Sequence, residues 1–239
     1  MRSAKVAVLA GVLIFYACAG WAADARAGKR VRSGTGFFVS ADGLLVTSAH
    51  VVAGCTGLLV FAQNDAPRAG RILAYDQRLD IALLATRGNV LQYARVGDPH
   101  EPRAGEQAFT LAYGTLVREP RKPVMTPGVF VGDGATEAGD RIILVRARLH
   151  EGNSGGPVID PRGSLIGMVI ARLTDQPDHA VVVPGAEIRV LLNGLGVASS
   201  SEPMSVKRVV RPRDLLIAIS ALVQCAPAVD KNRSGTPDD

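Results

Sequence analysis

The chain has 239 residues, 47% of them hydrophobic and 21% charged, a globular composition long enough for one large domain or two small ones. Its net charge of +5 comes without an RNP, zinc-finger or basic-helix pattern, so nucleic-acid binding is not expected. The four histidines are scattered and no two cysteines have metal-site spacing, so neither a metal nor a cofactor is expected. With 26 glycines and 14 prolines between short runs of Val, Ile and Leu, the chain reads as a mostly β protein of many short strands.

At the N-terminus, Arg2 and Lys5 precede an uncharged apolar run from Val6 to Ala19. Small residues follow at Gly20, Ala22, Ala23, Ala25 and Ala27. This is the layout of a secretory signal over residues 1–27, and it implies a periplasmic or secreted protein. The alternative is an uncleaved inner-membrane anchor, because Val6 to Ala23 is uncharged and at the lower edge of a spanning length. Cleavage would remove Cys18 and leave Cys55 and Cys225 in a compartment that permits a disulfide between them.

After a polar lead, the run Gly34 to Val52 reads as strand, Asp42-Gly43 turn and strand, a hairpin with His50 just past its second strand. Strands are predicted at Leu58 to Ala62 and Gly70 to Ala74. Asp80 then stands at the mouth of the apolar run Ile81-Ala82-Leu83-Leu84. A carboxylate there is either exposed or paired, since burying an unpaired charge is costly. Asp76 competes with it, but lies in a polar turn where solvation suffices. Gln107 to Ala112 is a further strand, and the Pro-rich, basic stretch 114–127 reads as a long loop and a boundary between two halves. Strands are predicted at Gly128 to Val131, Arg141 to Ala147, Val158 to Asp160, Leu165 to Arg172 and Ala180 to Val183. Gly185 to Leu195 has helical spacing and can close the domain.

Composition changes beyond residue 196. Residues 197–212 read as a Ser-rich linker, 213–225 as an apolar, helical segment, and 226–239 as a disordered tail. The apolar segment is too short to span a bilayer, so it is expected to dock on the domain, on a protein partner or on a membrane surface. Lys207, Arg208, Arg211 and Arg213 beside it read as a solvated basic face.

Glu151-Gly152-Asn153-Ser154-Gly155-Gly156-Pro157 crowds one serine with glycines. Such a loop can turn tightly and aim backbone N–H groups into a cavity, as the oxyanion of an acyl-transfer intermediate requires. Ser154 would be the nucleophile, and the N–H groups of Gly152 and Ser154 the donors. A serine hydroxyl needs a base, which His50 and Asp80 can supply. The order His50, Asp80, Ser154 is that of chymotrypsin-like proteases.

Gly34-Thr35-Gly36-Phe37-Phe38, Thr47-Ser48-Ala49-His50-Val51, Asp80-Ile81-Ala82-Leu83-Leu84 and Gly152-Asn153-Ser154-Gly155-Gly156-Pro157 resemble trypsin-like serine proteases, most closely the HtrA/Deg type of bacterial envelope proteases. The resemblance covers about residues 31–196. It implies an all-β fold of two six-stranded antiparallel barrels with a closing C-terminal helix, and a triad shared between the barrels. It also implies a polypeptide substrate. Too few residues follow position 196 for the PDZ domain that such proteases usually carry, so regulation through one is not expected.

The same resemblance puts Arg148, Leu149, Ile170 and Arg172 in the substrate pocket. Arg148 stands where an acidic residue selects basic substrates in trypsin, so cleavage after Lys or Arg is not expected. Leu149 and Ile170 can form a small apolar pocket; alternatively Arg148 or Arg172 pairs with an acidic P1 side chain. Two functions follow: a serine endopeptidase acting on unfolded envelope proteins or an exported partner, or a catalytically silent protease-fold binding module. Oligomeric state is left open.

Overall fold

The computed structural model describes residues 31–63, 65–97, 101–114, 122–197 and 211–227. The signal segment and most of the 197–212 linker lie outside these residues, as does the chain beyond Pro227. Strand β1 (Arg32–Phe38) turns at Asp42-Gly43 into β2 (Leu44–Ser48). Gly43 has φ +91° and lies so close to Gly88 that a Cβ would stand 2.7 Å from its carbonyl oxygen, so only glycine fits this turn. A short helix α1 (Ala49–Val52) carries His50, and β3 (Cys55–Ala62), β4 (Arg68–Asp76) and β5 (Ile81–Thr86) follow. The second half comprises β6 (Gln107–Ala112), β7 (Val124–Ala135), β8 (Arg141–Arg146), β9 (Pro157–Ile159), β10 (Leu165–Arg172) and β11 (His179–Pro184). Helix α2 (Gly185–Gly194) follows, and α3 (Pro212–Ile219) leads directly into β12 (Ser220–Pro227).

The strands close into two six-stranded antiparallel barrels, ordered β1-β12-β3-β4-β5-β2 and β10-β11-β8-β7-β6-β9. Strand alternation divides neighbouring residues between two cores. Phe38, Leu45, Leu84 and Val223 fill the first barrel, whereas Phe37, Val46, Leu83 and Leu222 turn outward. There they join Leu111, Ile159, Met168 and Val183 of the second barrel in one apolar cluster that fixes the barrels against each other.

Two expectations are corrected. The stretch 114–127 is no boundary: it connects β6 to β7, which pair with each other inside the second barrel. The passage between barrels falls earlier, between β5 and β6. The apolar segment 213–225 is not a single helix, although it does dock on the domain. Its helix ends at Ile219, and residues 220–227 form the sixth strand of the first barrel, between β1 and β3. Residues 226 and 227, expected in the tail, belong to that strand. The physical reason is burial on both sides: Leu215, Leu216 and Ile219 pack between the barrels, and Ala221, Leu222, Val223 and Cys225 are buried in the sheet. Those side chains are therefore spent inside the domain and offer no apolar face to a partner or membrane. Cys55 and Cys225 are disulfide-bonded, with Cα atoms 5.4 Å apart, which ties β12 to β3 beside α1. Among the described residues no helix is long and apolar enough to cross a membrane.

Candidate active site

The site begins where β2 runs into α1. Pairing of Ser48 with Ile81 brings Asp80 opposite the start of that helix. The N–H of Ala49 donates to Asp80 O (3.0 Å) and the N–H of His50 donates to Asp80 Oδ1 (2.8 Å). The second carboxylate oxygen, Oδ2, lies 2.6 Å from His50 Nδ1. Asp80 is only 7% exposed, so its charge is taken out of water and answered by a backbone N–H and an imidazole. Its backbone has φ +55°, the one positive φ among described non-glycine residues. Aspartate is one of the few side chains that tolerate this region, and residues held there cluster at functional sites. Asp76 is not merely solvated: its Oδ1 accepts the N–H groups of Arg78 (2.9 Å) and Leu79 (3.1 Å) and so shapes the turn that delivers Asp80.

Ser154 arrives from the second barrel, in the loop between β8 and β9. Gly155, at φ +82°, is pressed onto the first barrel: a Cβ there would stand 2.9 Å from Ser48 N and closer still to Thr35 O and Thr47 Oγ1. No other residue fits, and the contact lies two residues from His50. A hydrogen bond from Thr35 N–H to Ser154 O (2.9 Å) crosses the same seam. The imidazole of His50 is 49% exposed toward the cleft. Among the described residues Ser154 Oγ has no hydrogen-bond partner, and a substrate-free serine–histidine contact is commonly longer than in the working complex.

Just upstream, His150 to Asn153 form a turn. Asn153 N–H donates to His150 O (3.2 Å), while His150 N–H donates to Asn153 Oδ1 (2.8 Å). Gly152, its third residue, has φ +87° and Glu151 has no positive φ, the signature of a type II turn. Gly152 lies on the backbone of Gly114, where a Cβ would come within 2.7 Å of the carbonyl oxygen. Among the described residues neither Gly152 N–H nor Ser154 N–H has an acceptor. Asn153, 2% exposed, closes this turn through its side chain; sequence reasoning assigned it no role, although its place beside the serine was a usable signal.

The four candidate pocket residues do not converge. Leu149 is half-buried against the interior of the second barrel, and Ile170 packs between Ile142, Leu173 and Val181. Arg148 instead lines a cleft of about 470 Å³ with Met125, Thr126, Pro127, Arg146, His150 and Asp178. The hydrogen bond with His179 holds the Asp178 carboxyl below its ordinary range against the effect of desolvation, and Arg146 adds to this. The acid on the rim is thus already engaged, and the cleft is cationic. Arg172 is exposed at the end of β10. Among the described residues no group of three His, Cys, Asp or Glu side chains could hold a metal ion.

The chain is similar to several known serine proteases. The chain is 29% identical over 186 residues to the serine protease Rv3671c of Mycobacterium tuberculosis, covering 70% of this chain and 43% of that protein. It is 32% identical over 170 residues to the human serine protease HTRA4 (68% and 34% covered). To a probable periplasmic serine endoprotease, DegP-like, of Pseudomonas putida it is 30% identical over 138 residues (56% and 28% covered). The crystal structure of the Rv3671c protease in an inactive form superposes with a TM-score of 0.59 at 27% identity, covering 70% of this chain and 87% of that one. The chain thus spans less than half the length of these curated relatives. Residues 34–168, more than half of the chain, match the family described as the trypsin-like peptidase domain. With both barrels closed and the histidine–aspartate pair facing the serine loop across their seam, the chain is a member of the trypsin-like peptidase domain family.

Proposed function

We propose that this chain is an exported serine endopeptidase that hydrolyses polypeptides through an acyl-enzyme on Ser154. One observation carries the reading: among the described residues, two backbone N–H groups, on Gly152 and Ser154, have no acceptor, in a loop where Gly152 has φ +87°, beside a serine and a histidine held by a buried aspartate. Donors without a ground-state partner suit an oxyanion that exists only during reaction. In this scheme Ser154 Oγ attacks the scissile carbonyl and its proton passes to His50 Nε2. Asp80 accepts the Nδ1–H, fixes the tautomer and stabilises the imidazolium. The carbonyl oxygen takes the negative charge and receives the two N–H groups. Collapse breaks the C–N bond, with the proton on His50 going to the leaving amine. Water, deprotonated by His50, then releases the acyl group and restores Ser154.

Export rests on the signal layout of residues 1–27 and on the Cys55–Cys225 bridge, which belongs to an oxidising compartment. The names of DegP-like relatives, described as periplasmic, point the same way. Envelope polypeptides are the substrate class that follows.

For the residue before the scissile bond we favour a small apolar side chain, since Leu149, just upstream of the serine loop, packs half-buried against the second barrel while Arg148 lines the cationic cleft. The cationic lining of that cleft supports a second reading, an acidic side chain held by Arg148. Profiling the purified protein on a peptide library decides between them. Cleavage after Val, Ala or Ile at least about tenfold faster than after Glu is expected, a factor that corresponds to about 1.4 kcal/mol. Dominant cleavage after Glu would overturn the apolar assignment.

A further inference from the structure

We propose that the hydroxyl of Thr35 is a positioning group for catalysis: it holds the Gly152–Ser154 segment in the conformation that presents its two N–H donors. The proposal rests on the endopeptidase reading above and names a residue outside the triad and the donor pair. Thr35 lies in β1 of the first barrel and is 0% exposed. Its N–H donates to Ser154 O (2.9 Å) and its Oγ1–H donates to Gly152 O (2.6 Å). The same oxygen accepts the N–H of Tyr113 (3.2 Å), and the carbonyl of Thr35 accepts Thr47 Oγ1 (2.7 Å). One side chain of the first barrel therefore grips two segments of the second.

The geometry explains why the grip matters for chemistry. The peptide between Gly152 and Asn153 is held at both ends: its oxygen by Thr35 Oγ1, its N–H by His150 O. A peptide unit is planar, so fixing both ends fixes the plane and leaves the turn little freedom to reorganise. The peptide after Ser154 is held by Thr35 N–H through its oxygen. The donors of Gly152 and Ser154 belong to the peptides immediately preceding these, each one Cα away from a plane that Thr35 holds. The hydroxyl is also the partner of Tyr113 N–H, next to Gly114, on whose backbone Gly152 rests. Serine at position 35 would keep every one of these hydrogen bonds. Valine would fill the same space and remove the donor to Gly152 O, a half-buried carbonyl.

The test compares the full chain with Thr35→Val, Thr35→Ser and Ser154→Ala, using a fluorogenic peptide for turnover and backbone hydrogen exchange across residues 150–155. Thr35→Val should lower kcat by about a hundredfold, the order of losing one oxyanion donor, with KM changed by less than about threefold. It should also speed exchange at residues 150–155, whereas Thr35→Ser stays within about threefold of the parent in both. Should the valine variant fail to fold, Thr35→Ala carries the same comparison. A valine variant with parental kcat and exchange overturns the proposal. Equal impairment of the valine and serine variants also overturns it, by assigning the role to the β-methyl group. A parent protein that is itself inactive would sink the endopeptidase reading, and the exchange measurement would still decide whether the hydroxyl holds the loop.

Discussion

Ending the chain at Arg211 is expected to abolish cooperative folding. The truncation removes α3 and β12, and with them the strand that β1 and β3 share. Leu215, Leu216, Ile219, Leu222 and Val223 are all buried, and losing five aliphatic side chains of this kind costs on the order of 10 kcal/mol. That is comparable to the whole stability of a domain, about 5–15 kcal/mol. The loss is compounded by two strand edges left unpaired, a template for aggregation. The Cys55–Cys225 bridge disappears as well, and a native bridge of this kind contributes about 2–5 kcal/mol. Urea unfolding followed by circular dichroism checks this. A truncated protein with a cooperative transition at the parental midpoint would show that the tail strand is dispensable.

Asp80→Asn is expected to lower kcat by about ten-thousandfold while the fold survives, the magnitude associated with the same change in the serine–histidine–aspartate template. Asparagine is nearly isosteric and tolerates the left-handed backbone at φ +55°. Its amide oxygen can still accept the N–H of His50, where Asp80 Oδ1 now does at 2.8 Å. The amide nitrogen, however, replaces the oxygen 2.6 Å from Nδ1 and cannot accept a proton from it. The ring is then driven into the tautomer with its proton on Nε2, which cannot take the Ser154 proton. Steady-state kinetics beside a thermal melt separates this from unfolding. A loss of less than about tenfold in kcat would remove Asp80 from the mechanism, because the template predicts a thousandfold more.

The sequence was most legible where local pattern and structure coincide. Gln107 to Ala112 and Leu165 to Arg172 are short apolar runs bounded by turn residues, and both are strands over those limits. Asp42-Gly43 marked the first hairpin for the same reason. His50, Asp80 and Ser154 could be picked out because each sits in an unusual local setting, and the fold brings the three segments together across one seam. What was not legible is long-range. The segment 213–225 reads as helical because a short apolar run does not distinguish helix from buried strand, and the partners of its strand part, Ser220–Pro227, lie at residues 32–37 and 55–62, far away in sequence. The loop 114–127 looked like a division between halves because a Pro-rich stretch carries no information about which strands it joins. Thr35 is an ordinary strand residue by composition, and only tertiary contact reveals that its hydroxyl reaches Gly152. Arg148 and Leu149 are adjacent in sequence, yet one enters the cationic cleft and the other the barrel wall.

The central claim, that Ser154 is the nucleophile of a working active site, is tested most directly by labelling the purified mature protein with a fluorophosphonate probe and locating the adduct by peptide mass spectrometry. The account predicts one adduct, on Ser154, absent from the Ser154→Ala variant, whose peptide hydrolysis falls by about a millionfold with the fold unchanged. An adduct on another residue, or an alanine variant that hydrolyses peptide at the parental rate, would contradict it.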